Sequence, residues 1–340
     1  MSSSRLGQVV VLGVTVALAL AACGGSGDDA GPAPSPTSAA PSATPTQSAA
    51  PVWPLTGLPA PDGVADRPAL VVKVDNTAGA VPQVGLAAAD LVVEELVEGG
   101  LTRLAAMYQS SLPAVVGPVR SVRTTDIGIV APTGGALVAS GGASRVLAAM
   151  DDAGLTVLAE GGAGLSRAGD REAPYNVMLD PSAALAGLSG LSAPAQPYLP
   201  WGEPASDGAA AEGDPATSVD VSFSGIATTH WTWADGTWRQ SDDRAAPGQE
   251  FAPASLVILR VTTRDAGYDD PGGNPVPETV LEGSGEATLL TGGVVVPARW
   301  SKDAPAAPIV LTDRSGEPLT VPAGRTWIGL VPEAGSVVLP

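Results

Sequence analysis

The chain has 340 residues, with 17 Lys+Arg against 35 Asp+Glu and a formal net charge of −18. So acidic a body excludes general nucleic-acid binding and polybasic adsorption to a membrane. A single cysteine, Cys23, excludes a disulfide framework.

The amino terminus reads as an export signal over residues 1–22. A short positive start at Arg5 leads into an apolar run from Val9 to Ala22 that closes on small residues. The run is at the short limit for a membrane-spanning helix, which needs about 20 apolar residues. Its end, Leu20-Ala21-Ala22-Cys23-Gly24, resembles the lipobox of bacterial lipoproteins. That resemblance implies diacylation of Cys23, with palmitate-type chains, and cleavage just before it. Two acyl chains anchor stably where one does not. The expected location is therefore the extracytoplasmic face of the cell membrane, with the only thiol spent on lipid.

Residues 23–52 comprise the lipidated Cys23 and a disordered Pro/Ala/Ser/Thr tether without apolar periodicity. As a flexible coil it would span about 30 Å root-mean-square. From Trp53 the pattern changes. Residues 69–76 alternate as a strand, with Leu70, Val72 and Val74 on one face and Val71, Lys73 and Asp75 on the other. Leu91 to Val97 and Leu101 to Gln109 are apolar runs joined by Gly99 and Gly100, which predicts a hairpin. Val122 to Val130 is expected to be helical, Gly135 to Ser140 a buried strand, and Ser144 to Asp152 and Ser182 to Leu188 helices. Residues 201–218 read as a linker or surface loop. Beyond Val219 the signals are strand and turn, with Asp235-Gly236 closing a hairpin. The expected fold is α/β (α+β) and layered over 53–200 and mostly β over 219–336, as two domains or one packed body.

Several motifs together resemble the YerB-like lipoprotein family, catalogued as domain of unknown function 3048 with N- and C-terminal halves. They are Glu98-Gly99-Gly100 followed by Thr102-Arg103, then Gly117-Pro118-Val119-Arg120-Ser121 with Arg123. Ala173-Pro174-Tyr175-Asn176 and the terminal Thr326-Trp327 also fit. The resemblance covers nearly all of residues 53–335. It implies a lipoprotein with an α/β first half and a β-rich second half, and brings no activity with it. Members often carry histidine where this chain has Tyr175, so no proton-transfer role comes with that position.

Chemistry in the first half centres on arginines and carboxylates. Glu94 and Glu98 are expected on one face of their segment, with Arg103 on the next run. Arg120 and Arg123 bracket Ser121 ahead of a helix start, where guanidinium groups and backbone donors suit an anion. Asn76, Gln83, Asp126 and Asn176 complete the candidate ligand-binding set. One reading is a pocket for an anionic wall component, such as a phosphate-bearing polymer or stem-peptide carboxylates, or for a partner protein. The other is internal ion pairing, Arg103 with Glu94 or Glu98. Among Asp75, Glu94, Glu98 and Asp126, a carboxylate pair for glycan cleavage is the alternative from enzyme chemistry, and a scaffolding role is a third. No cofactor is expected: the chain has no Cys/His metal set, nucleophile elbow or phosphate loop. His230, between tryptophans on an alternating run, is expected to pack in the strand. The acidic run from Asp265 to Asn274 lacks the spacing of a known calcium loop.

Overall fold

The computed structural model describes residues 51–61, 66–203, 213–241 and 244–339. The leader, Cys23 and the tether to residue 50 lie outside the described residues, as does 204–212 of the expected linker.

In the first half the strands are β1 (Leu70–Asp75), β2 (Leu91–Leu96), β3 (Thr102–Tyr108), β4 (Ala136–Val138), β5 (Thr156–Leu158), β6 (Leu165–Arg167), β7 (Val177–Leu179) and β8 (Trp201–Gly202). Three helices accompany them: α1 (Asp126–Val130), α2 (Ser144–Asp152) and α3 (Pro181–Gly187). The second half adds β9 (Asp214–Pro215), β10 (Ser218–Ser222), β11 (Thr228–Ala234), β12 (Thr237–Gln240), β13 (Ser255–Val261), β14 (Thr263–Asp269) and β15 (Pro275–Thr279). It ends with β16 (Gly283–Thr291), β17 (Val294–Lys302), β18 (Val310–Thr312), β19 (Val321–Pro322), β20 (Thr326–Pro332) and β21 (Ser336–Val338).

One sheet runs through both halves in the order β18-β17-β16-β13-β20-β2-β3-β1-β4-β5, with β9 added on β17. The seam is β20, parallel to β13 on one side and to β2 on the other. Strand β2 meets Thr326 at Leu91 and Leu330 at Glu95. Residues 49–340 accordingly form one compact unit.

Both faces of the sheet are covered, so its central strands are buried along their whole length. On one face Val71, Leu91, Val93, Ala105, Met107 and Leu259 pack with Ile129 and Val130 of α1 and Val146 and Met150 of α2. On the other, Val72, Val92, Leu104, Ile258 and Trp327 pack with Val221, Trp231 and Trp238. Those last residues belong to a second sheet, β12-β11-β10-β21. Trp231 meets Trp327 edge-on, centroids 5.0 Å apart.

The β2–β3 hairpin, α2 and the β11–β12 hairpin lie where the pattern puts them, the last with positive φ at both Asp235 and Gly236. The expected helix over 122–130 shortens to α1. Val122 N–H bonds to Gly141, which holds it out of the helix, and the Asp126 carboxylate accepts the Arg123 N–H at 2.7 Å across a turn at Thr124 and Thr125, so the helix starts only at Asp126. The described ends of 201–218 are paired rather than free, β8 on β19 and β9 on β17. His230 faces outward and bonds Asp220 at 2.7 Å, because the inward positions of β11 belong to Thr229 and Trp231.

Gly135 allows β4 to reach β1. A Cβ there would stand 2.0 Å from the Ala69 carbonyl oxygen, which accepts the Ala136 N–H. Gly135→Ala is expected to cost about 2–3 kcal/mol by forcing these backbones apart, read as a lower denaturant midpoint at unchanged slope.

Candidate functional site

The period of two in β2 sends adjacent carboxylates to opposite faces of the sheet. Glu95 faces α1 and Glu94 faces the second sheet. Each is at most 1% exposed.

On the α1 face lies a charge network. Lys73, from β1, contacts Glu95 and also Asp126, the latter at 2.7 Å, all three fully buried. Burial pushes the Glu95 carboxyl up against the pull of Lys73, and the neighbouring Asp126 charge adds to the rise. Glu98 sits in the turn 98–100 and takes both Arg103 (3.2 Å) and Arg123, whose Nε donates to it at 2.8 Å. Burial opposes ionisation of Glu98. The Arg123 hydrogen bond and the charges of Arg103 and Arg123 outweigh that and hold the carboxyl down at about 2. Arg120 reaches Asp75 at 2.8 Å and stacks over Tyr175 at 5.5 Å. Four cations meet four carboxylates, and Arg103 and Arg123 are only 4% and 8% exposed. These guanidinium groups hold β1, β3 and the approach to α1 together; Arg103 pairs with Glu98, one of the two partners the internal-pairing reading named, and Arg120 keeps a partly exposed side chain.

The expectation that Glu94 and Glu98 share a face is corrected. Strand β2 ends at Leu96, and Glu98 opens the turn 98–100 rather than continuing the strand, so its side chain joins the α1 side. Ser121 contributes its carbonyl to Arg103 at 3.3 Å. Asn176 lies apart, bonded to Arg167 at 2.8 Å.

Glu94, on the other face, forms no ion pair with a described residue. Its oxygens accept from Asn76 Nδ2 at 3.1 Å and Thr229 Oγ1 at 3.2 Å, and Thr102 and Trp327 hydrogen-bond to it as well. Gln83 holds Asn76 in place. Its amide donates to Asn76 Oδ1 at 3.2 Å and to the Asp75 carbonyl at 2.6 Å, which leaves the Asn76 amide to serve Glu94 and Thr102. Burial pushes the Glu94 carboxyl up from its ordinary 4.5 to about 7, against these hydrogen bonds and the more distant charge of Arg244.

A pocket of about 180 Å³ opens onto this carboxyl. Asn76, Thr77 and Thr102 line it from the first half, and Thr228, Thr229 and Arg244 from the second. Ile226, 72% exposed, stands at the rim. The volume suits one small polar group rather than a whole drug-sized molecule. A buried titratable group at the base of a polar pocket marks a candidate site on physical grounds. Of the residues expected from sequence, Asn76, Gln83 and Glu94 converge here. Thr102, Thr229 and Arg244 were not foreseen. The one local signal was Glu94-Glu95, adjacent carboxylates inside an apolar strand, which a sheet covered on both faces must bury.

The family described as "Protein of unknown function (DUF3048) N-terminal domain" matches residues 55–193, and its C-terminal domain matches 219–328. The chain belongs to this family. A relative named "Putative lipoprotein YerB", from Bacillus subtilis (strain 168), is 50% identical over 70 residues, which is 21% of each chain. The crystal structure of the YerB protein from Bacillus subtilis matches with a TM-score of 0.70 at 24% identity, covering 84% of this chain and 99% of that one. The family's fold, a mixed sheet with an α+β first half and a β-rich second half, is thus the fold of this chain. The pocket uses residues from both matched regions, Asn76 and Glu94 from one and Thr229 and Arg244 from the other.

Proposed function

We propose that this is a lipid-anchored protein of the outer face of the cell membrane that binds an anionic cell-wall component through the Glu94 pocket. The observation that carries this reading is a buried carboxyl that makes no ion pair with a described residue, set at the base of a polar pocket that Arg244 also lines. An ionised Glu94 calls for a hydroxyl or ammonium donor, and Arg244 suits a phosphate or carboxylate. A wall polymer or stem peptide carries both kinds of group. A partner protein presenting the same pair of groups would fit the same pocket.

Binding is favoured over glycan cleavage. A carboxyl titrating near 7 suits a general acid, but the cleavage chemistry needs a second carboxyl across the groove. Asp75, Glu98 and Asp126 are spent in the network on the opposite face of the sheet.

The test is co-sedimentation of the full chain in detergent with purified cell walls, before and after removal of their phosphate polymers or stem peptides. Retention is expected to fall on removal of one of these and with Arg244→Glu; retention that ignores both treatments and the substitution rules the reading out. For the anchor, cells fed radiolabelled palmitate should label the parent chain and leave Cys23→Ala unlabelled. Label on the variant would refute acylation at Cys23.

A further inference from the structure

The second sheet covers only part of the large one. Strand β21 is its last strand, paired with β10 alone from Ser336 to Val338. Beyond that edge, among the described residues, the face of β16 and β17 forms a groove of about 540 Å³. Thr288 and Pro297 lie along its floor, and Ser336, Val337 and Leu339 along the β21 wall. No described strand pairs with the other edge of β21, and Val338 and the following Leu339, 50% and 44% exposed, make it apolar. Such an edge is a template for a further strand.

The charge of the groove runs against that of the chain. In a protein of net charge −18, Arg260, Arg299 and Arg314 gather here against Asp214 and Glu286. Arg299 and Arg314 are exposed, and neither forms an ion pair with a described residue. Arg260 spends one nitrogen on the carbonyls of Glu333 (2.7 Å) and Gly335 (3.0 Å), which sets the turn into β21. Its other terminal nitrogen is buried without a partner.

We propose that this groove docks an extended acidic segment of a partner protein, which adds as a strand to β21 and places carboxylates on Arg299 and Arg314. Backbone hydrogen bonds to the edge give the register, and the two guanidinium groups select charge. The apolar side of the incoming strand covers Val337 and Leu339. A site of this kind is independent of the Glu94 pocket, whose lining residues it does not share.

The probe is a fluorescein-labelled hexapeptide, Glu-Val-Glu-Thr-Glu-Val, followed by anisotropy on the full chain in detergent. Saturable binding is expected, weakened at least about tenfold by the surface pair Arg299→Glu and Arg314→Glu. It should be lost when alternate peptide nitrogens are methylated, which removes the strand hydrogen bonds without touching the protein, and unchanged in Glu94→Gln. No saturable binding, or binding indifferent to charge reversal or to methylation, overturns the proposal. So does an inorganic polyphosphate chain that binds this groove while the peptide does not, and so does a chain that dimerises through it in solution.

Discussion

Glu94→Gln is expected to melt several degrees above the parent chain at pH 8.5 and close to it at pH 5. The sign follows from proton linkage. The folded chain holds the Glu94 proton to about pH 7, whereas the unfolded chain releases it near the ordinary 4.5. Between these values the unfolded state binds fewer protons, so stability falls as the pH rises. Above pH 7 the full cost is about 3 kcal/mol. Glutamine carries no charge to bury and keeps an oxygen for Asn76 and Thr229. Thr229 can turn its hydroxyl to accept from the new amide. The gain should therefore appear only on the alkaline side, read by thermal melts at several pH values. Glu98 acts in the opposite window. Held down at about 2 by its arginines, it stabilises above about pH 4.5, and that contribution is lost as the pH falls toward 2. A Glu94→Gln melting profile parallel to the parent's at all pH values would show that Glu94 is ionised in the folded state already.

Lys73→Met should produce the largest loss of stability. Methionine fills similar space, but removing the ammonium leaves Glu95 and Asp126 buried and facing each other with no cation between them. Breaking a buried pair in this way costs about 3–5 kcal/mol. In a unit of this size that is a drop of about 10 °C in melting temperature. The loss comes from the uncompensated carboxylates rather than from a missing attraction. Adding Glu95→Gln and Asp126→Asn to Lys73→Met removes all three charges and should recover most of it. The Asp126→Asn side chain retains an oxygen for the Arg123 N–H that starts α1. A triple variant no more stable than Lys73→Met would mean that the network contributes attraction beyond mutual neutralisation.

Much of the local structure was legible. The alternation of β1, the glycine joint between β2 and β3, the helix α2 and the Asp235-Gly236 turn each rest on neighbours in sequence. The seam at β20 was not legible. It joins residues 91–95 to 326–330 in parallel, and parallel pairing has no hairpin turn to announce it. The pocket shares that limit. Asn76, Gln83 and Glu94 lie in one half, but Thr229 on β11 and Arg244 in the loop after β12 come from more than a hundred residues away. The arginines divide for a related reason. Arg103, Arg120 and Arg123 are close in sequence and drew attention as a cluster, yet they are neutralised by Glu98 and Asp75. Arg299 and Arg314 are exposed and form no ion pair with a described residue, and the groove they share is assembled from segments distant in sequence. Glu98 departs from the face of Glu94 because β2 ends at Leu96 and Glu98 already belongs to the turn 98–100, where the period of two no longer holds.

The central claim is that Glu94 is a buried, titratable contact group for a wall ligand. Carboxyl-selective ¹³C NMR of the full chain, with Glu94→Gln used for assignment, tests it directly by titration with and without solubilised wall fragments. The account predicts a Glu94 midpoint near 7 that moves by a resolvable amount when the fragments are added. A midpoint near the ordinary 4.5, or one that the fragments leave in place, would contradict it.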